Sequence, residues 1–116
     1  KRVDGVWVHQ GTWNFDTPIH NAYLGRSMSL DERGKLLFVG SSYPTSFSSH
    51  RGQAVLLAAD DITLTKLVEI ASPNPSAYTA YANEVAIAPI GRRLFVSQPL
   101  ATNTLANEGV CDVYNC

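Results

Sequence analysis

Charge is scarce in this chain. Only 16% of its 116 residues are Asp, Glu, Lys or Arg, against roughly 25% in an average soluble protein. The net charge is −1, so there is no basic field of the kind that draws a protein to nucleic acid, and no acidic tail to draw basic partners. Long apolar runs are absent too. None approaches the roughly 20 residues of a membrane-crossing helix, and no membrane insertion is expected. The opening stretch from Lys1 to His9 lacks the apolar segment of a signal peptide and reads as the middle of a strand. Cysteine is limited to Cys111 and Cys116. That spacing sets them on opposite faces of one continuous strand, so a disulfide between them needs a turn. Neither a C-x-x-C metal pair, nor a G-x-S-x-G elbow, nor a phosphate-cradling glycine loop occurs. No cofactor is expected.

What is present is β-forming and repeated. Hydrophobic residues make up 45% of the chain, enough for a core. Gly34, Leu37, Phe38, Val39, Thr45 and Gly52 recur, always 57 residues on, as Gly91, Leu94, Phe95, Val96, Thr102 and Gly109. In the first copy Ser27–Leu30 alternates polar and apolar residues, the pattern of a half-buried strand. Asp31–Gly34 makes a turn, and the apolar run Leu36–Val39 suits a strand covered on both faces. Ser41–Arg51 is a loop, Ala54–Ala58 a third strand, Asp60-Asp61 a turn and Thr63–Ile70 a fourth strand. The last could also form a short helix, but its β-branched residues favour the strand. A loop over Ala71–Tyr81 then leads into Val85–Ile87, Leu94–Val96, the loop Gln98–Glu108 and Val110–Tyr114. Ahead of the first copy, Gly5–His9 and Thr12–Phe15 take the places of a third and a fourth strand. By the repeat, Cys111 and Cys116 stand where the first copy has Ala54 and Ala59, so both thiols are expected to be small and largely buried.

Four antiparallel strands in tandem is the arrangement of a β-propeller blade. Leu24-Gly-Arg-Ser-Met-Ser-Leu30, Gly34, Leu37-Phe-Val-Gly-Ser41 and Gly52-Gln-Ala-Val-Leu56 resemble the FG-GAP repeat of integrin-α-type propellers. The second copy departs from that pattern at Tyr81-Ala82 and at Ser97-Gln-Pro99. A second similarity joins Ala88-Pro-Ile-Gly-Arg-Arg-Leu-Phe-Val96 and Thr63–Ile70 to YVTN-type seven-bladed propellers, whose period is shorter. Either resemblance implies an all-β fold of tandem four-stranded antiparallel blades, a fragment of a larger ring. Residues 1–23 would end one blade, 24–79 would form a complete one, and 80–116 most of the next. Missing strands would then come from further blades of the same protein or from associated copies. The calcium loop of many FG-GAP repeats is not carried over. Its place holds Asp31-Glu32-Arg33-Gly34 in one copy and Ala88-Pro89-Ile90-Gly91 in the other, too few oxygens for calcium.

Candidate chemistry is thin. His9, Asp16, His20 and His50 could hold a metal, but their spacing matches no ligand motif. Ser41-Ser42 and Ser46–His50 offer hydroxyls near a histidine without an orienting acid, and read as a solvated loop. Asp60 and Asp61 read as a turn pair. Aromatics are more suggestive, because exposed aromatic residues in loops favour binding surfaces. Tyr43, Phe47 and Tyr78, in the longest loops, are the binding candidates. The FG-GAP resemblance implies a non-catalytic binding or adhesion module, extracellular or at the cell surface, that presents its loops to a protein or glycan partner. The alternatives are part of a propeller enzyme, hydrolase- or lactonase-like, with its site at the channel mouth, or a purely structural component of a larger assembly.

Overall fold

The computed structural model describes residues 2–9, 11–16, 23–42, 52–60, 63–73, 79–90, 92–101, 105–106 and 108–115, and every helix or strand among them is a strand. Strands β1 (Arg2–Val3) and β2 (Val6–Trp7) form a hairpin. A four-stranded antiparallel sheet follows, in the order β3 (Leu24–Leu30), β4 (Leu36–Ser41), β5 (Gln53–Ala59), β6 (Leu64–Ala71). Strands β7 (Val85–Ile87), β8 (Arg93–Gln98) and β9 (Val110–Asn115) make a three-stranded antiparallel sheet.

Two readings at the N-terminus need correction. The stretch from Lys1 to His9 is not one strand, because the chain reverses at Asp4 and Gly5, both with positive φ (51° and 80°). Two left-handed central residues define the tight hairpin turn whose twist matches its strands, and Asp-Gly is a favoured sequence for it. Thr12–Phe15 is not a strand. The Asn14 side chain accepts the Phe15 amide at 2.8 Å, a local bond that competes with sheet pairing. The Trp13 and Phe15 rings meet edge to face, 5.6 Å apart.

The central strands β4 and β5 of the four-stranded sheet are covered on both faces. On one face Phe38 and Ala54, with Leu36, Leu56 and Ile70 beside them, pack on Val85, Ile87, Leu94 and Val96 of the three-stranded sheet and on Tyr81 and Ala82. On the other, Val39, Val55 and Leu57, with Leu24 and Leu37, pack on Phe15 and Trp13. This double coverage is why Leu36–Val39 reads as an unbroken apolar run. The layers follow one another in a row. The radius of gyration is 15.2 Å, where a compact chain of this length has about 13 Å.

Hydrogen bonds also stitch the leading strands of the two sheets together. Ser27 Oγ accepts the Val85 amide at 3.1 Å, Ser29 Oγ accepts the Ile87 amide at 3.0 Å, and Arg26 Nε donates to Asn83 Oδ1 at 3.0 Å. Serines on the inward face of β3 thus serve amides of β7 that would otherwise be buried without acceptors.

The 57-residue spacing extends to backbone conformation. Tyr23 and Ala80 have φ of 53° and 56°, Gly25 and Ala82 of 91° and 65°, Gly52 and Gly109 of 100° and 85°. The amides of Arg26 and Asn83 each donate to the carbonyl three residues back, Tyr23 and Ala80, at 3.1 Å. Asp31 N to Leu36 O (3.0 Å) and Ala88 N to Arg93 O (2.9 Å) form a further such pair. Ala82 therefore holds a left-handed backbone where the first copy has a glycine, a conformation costing an L-residue about 1–2 kcal/mol.

Asp31 organises the turn between β3 and β4. Its Oδ1 accepts the amides of Lys35 (2.8 Å) and Leu36 (3.0 Å), and its Oδ2 pairs with Arg33. The Leu36 amide, helped by Lys35 and Arg33 and opposed by burial, holds the Asp31 carboxyl below its ordinary 3.8. A depressed folded-state value means that the unfolded chain takes up this proton first. The stabilisation is full above about pH 3.8 and is lost as the pH falls through the lower folded value. Urea unfolding between pH 5 and pH 2 is expected to show a steeper loss of stability for the native sequence than for Asp31→Asn. Equal slopes would remove Asp31 from the account.

Cys111 is exposed, against the expectation drawn from its counterpart Ala54, which is fully buried. The three-stranded sheet covers Ala54, whereas the outward face that carries Cys111 has no layer over it among the described residues. Cys116 lies outside the described residues.

Candidate functional site

The strand register divides the molecule into two unlike ends. Tight connections over residues 31–35, 60–63 and 88–92 lie at one end, and the long connections 42–52, 72–84 and 99–109 at the other. The pairs Ser41↔Gln53, Gln53↔Ala71 and Gln98↔Val110 mark the rim from which the long ones leave. Long loops gathered on a rigid scaffold are where binding residues concentrate.

Polar burial follows the same division. Among the described residues, Ser41, Ser42, Ser72, Thr79 and Gln98 are all buried at the long-loop end, while Asp31 is the buried polar residue at the other. Gln98 links Thr79 to Asp112 in a chain. Its Oε1 accepts Thr79 Oγ1 at 2.8 Å and its Nε2 donates to Asp112 Oδ2. Beside it the hydroxyls of Tyr81 and Tyr114 bond at 2.8 Å. Tyr81 is fully buried. Burial, together with the Tyr114 hydroxyl, raises its phenol far above the ordinary value, so it stays protonated. Backbone bonds complete the base: Leu100 N to Thr79 O (3.1 Å), Ala101 N to Gln98 O (3.1 Å) and Gly109 N to Ala101 O (3.0 Å). The result is a hydrogen-bonded platform that fixes the roots of the loops 72–84 and 99–109.

Two glycines let this platform sit against the four-stranded sheet. A Cβ on Gly40 would lie 2.5 Å from the Ala82 carbonyl oxygen, and one on Gly52 would collide with the Tyr81 carbonyl. The Tyr81-Ala82 backbone therefore rests directly on β4 and on the start of β5.

The chemistry of the platform is structural. Thr79 Oγ1 donates to an amide oxygen and not to a base, so this chain of bonds activates no nucleophile. Gln98, Thr79 and Asp112 correspond by the repeat to Ser41, Ala22 and Val55, so the polar chain belongs to the second copy alone. Sequence reasoning missed it. The one available signal was an acid, Asp112, at a position where the first copy has a buried valine, Val55.

The binding candidates Tyr43, Phe47 and Tyr78 all lie outside the described residues, as do His20, His50 and Asp61. His9 is exposed and bonds Thr12 Oγ1 at 3.2 Å. Asp60 takes the Thr63 amide (2.7 Å) and hydroxyl (2.9 Å) and so caps its own turn. Among the described residues no group of three or more His, Cys, Asp or Glu side chains could hold a metal ion. No helix among them is long and apolar enough to cross a membrane. The chain matches no protein-family model, and no curated protein is significantly similar to it.

Proposed function

We propose that this chain is a non-catalytic binding or adhesion module, a stretch of β-propeller blades resembling the FG-GAP type, that presents the loops 42–52, 72–84 and 99–109 to a protein or glycan partner in an extracellular or cell-surface setting. The observation that supports this reading best is the gathering of the long connections at one end over a buried polar platform, with tight turns at the other. A fixed base under long loops suits recognition, because the scaffold meets the ordering cost before the partner arrives. The tandem four-strand and three-strand sheets, and backbone features that recur at the 57-residue spacing, support the blade reading.

The test uses the purified chain on a glycan microarray and against a panel of extracellular protein domains. It is compared with a triple variant, Tyr43→Ala, Phe47→Ala and Tyr78→Ala. A ligand bound by the native chain and at least tenfold more weakly by the variant is the expected result, since truncated aromatic anchors at an interface cost about 2 kcal/mol or more. Equal binding by the variant, or no binding to either collection, overturns the proposal.

A further inference from the structure

The packing of one sheet on the other leaves both halves of that same contact open on the outside of the molecule. In the internal contact, one side is the row Ser29, Phe38 and Leu56, which the register sets across β3, β4 and β5. Its 57-residue counterparts are Ala86, Phe95 and Val113, set across β7, β8 and β9 in the same way. Leu94 and Val96 point inward, so strand alternation turns Phe95 and Val113 outward. Phe38 is fully buried, while Val113 is 50% exposed and Phe95 half-buried. A hollow of about 180 Å³ beside Phe95 and Cys111 marks this bare face.

The other side of the internal contact is led by Val85 and Ile87, 8% and 7% exposed. Their counterparts Met28 and Leu30 are 61% and 56% exposed, on the outer face of the four-stranded sheet. There Met28, Leu37, Leu57 and Leu64 line a second apolar hollow of about 220 Å³ with Trp13. The Trp13–Phe15 segment covers the β4 and β5 part of this face, at Val39, Val55 and Leu57, and leaves Met28 and Leu30 on the β3 edge open.

Among the described residues, the molecule therefore leaves open part of a copy of each side of an interface it already makes within itself. We infer that the chain associates head to tail with a second copy of itself, the Phe95–Val113 face of one molecule seating on the Met28–Leu30 face of the next. This contact is heterologous: it uses two different patches, so it continues into a ring or a filament unless it is capped. The counterparts are not identical: Ser27 and Ser29, which accept amides of β7, become Glu84 and Ala86. Gly40, over which the Ala82 carbonyl lies, is replaced by Ser97, whose hydroxyl accepts the Glu84 amide at 2.9 Å. The contact between copies therefore centres on the Phe95 and Val113 row, away from the loop end. The inference does not depend on what the loops bind.

Sedimentation velocity over a range of concentrations tests it, with Val113→Asp and Met28→Asp as single variants at exposed positions and circular dichroism to check folding. The native chain is expected to form concentration-dependent oligomers. Each variant alone is expected to associate at least a hundredfold more weakly, because a charge would be buried without a partner. An equimolar mixture of the two should form a dimer and nothing larger, since one supplies an intact Met28 face and the other an intact Val113 face. Ala86→Lys and Leu30→Lys repeat the design should either aspartate variant misfold. A native chain that stays monomeric, a mixture that stays monomeric, or assembly unaffected by Val113→Asp, as pairing through the edge of β9 would give, overturns the inference.

Discussion

Replacing Gly52 by alanine is expected to destabilise the chain by about 3–5 kcal/mol, left-handed strain and overpacking acting together. Gly52 has φ of 100°, and an added Cβ would fall on the Tyr81 carbonyl group, only 2.9 Å from its carbon. The obstacle is backbone, held by the bond from the Ala82 amide to Ser97 O at 3.0 Å, so it cannot swing aside as a side chain could. Gly25→Ala separates the two contributions. Gly25 has φ of 91° with nothing within 4 Å of its would-be Cβ, so that variant carries the conformational cost alone, about 1–2 kcal/mol. Urea unfolding of both measures the gap. Equal losses would mean that Tyr81 does not rest on Gly52.

The second large effect is expected at Tyr81. Its ring is the largest fully buried side chain among the described residues and sits in the core that the two sheets share. Tyr81→Ala should cost about 3–5 kcal/mol, the range for emptying a buried aromatic site. Tyr81→Phe keeps the ring and removes only the bond to the Tyr114 hydroxyl, so it should cost about 1 kcal/mol. Unfolding midpoints of the two variants distinguish a packing anchor from a polar one. A phenylalanine variant as damaged as the alanine variant would shift the weight to the hydroxyl pair.

Much of the architecture was legible from local pattern. The strand spans expected at Ser27–Leu30, Leu36–Val39, Ala54–Ala58 and Thr63–Ile70 differ from the observed ones only at their ends, and Val85–Ile87 coincides. Such runs are dictated by alternation and β-branched content, which tertiary context reinforces here. The N-terminal segment was misread because a tryptophan and a phenylalanine two apart mimic strand alternation, whereas Asn14 turns the backbone aside. The Asp4-Gly5 reversal was readable, since Asp-Gly between valines is a hairpin signal. Cys111 was misplaced because the repeat predicts surroundings only where the neighbouring layer is also repeated. The candidate site was legible in outline, as long loops, but not in its platform. Gln98, Thr79 and Asp112 are far apart in sequence and meet only once β8, β9 and the 79–82 segment are packed. The left-handed backbone at Ala80 and Ala82 was likewise hidden, since neither residue type advertises it.

Every strand among the described residues pairs with a neighbour in sequence, without a crossover. A sheet of this kind can zip from any one hairpin, each step closing only a short stretch of chain, and the slow search for distant partners is confined to bringing one finished sheet onto the next. The serines of β3 lie on that late contact. They are therefore expected to act late in assembly, slowing the parting of the sheets more than they speed their formation.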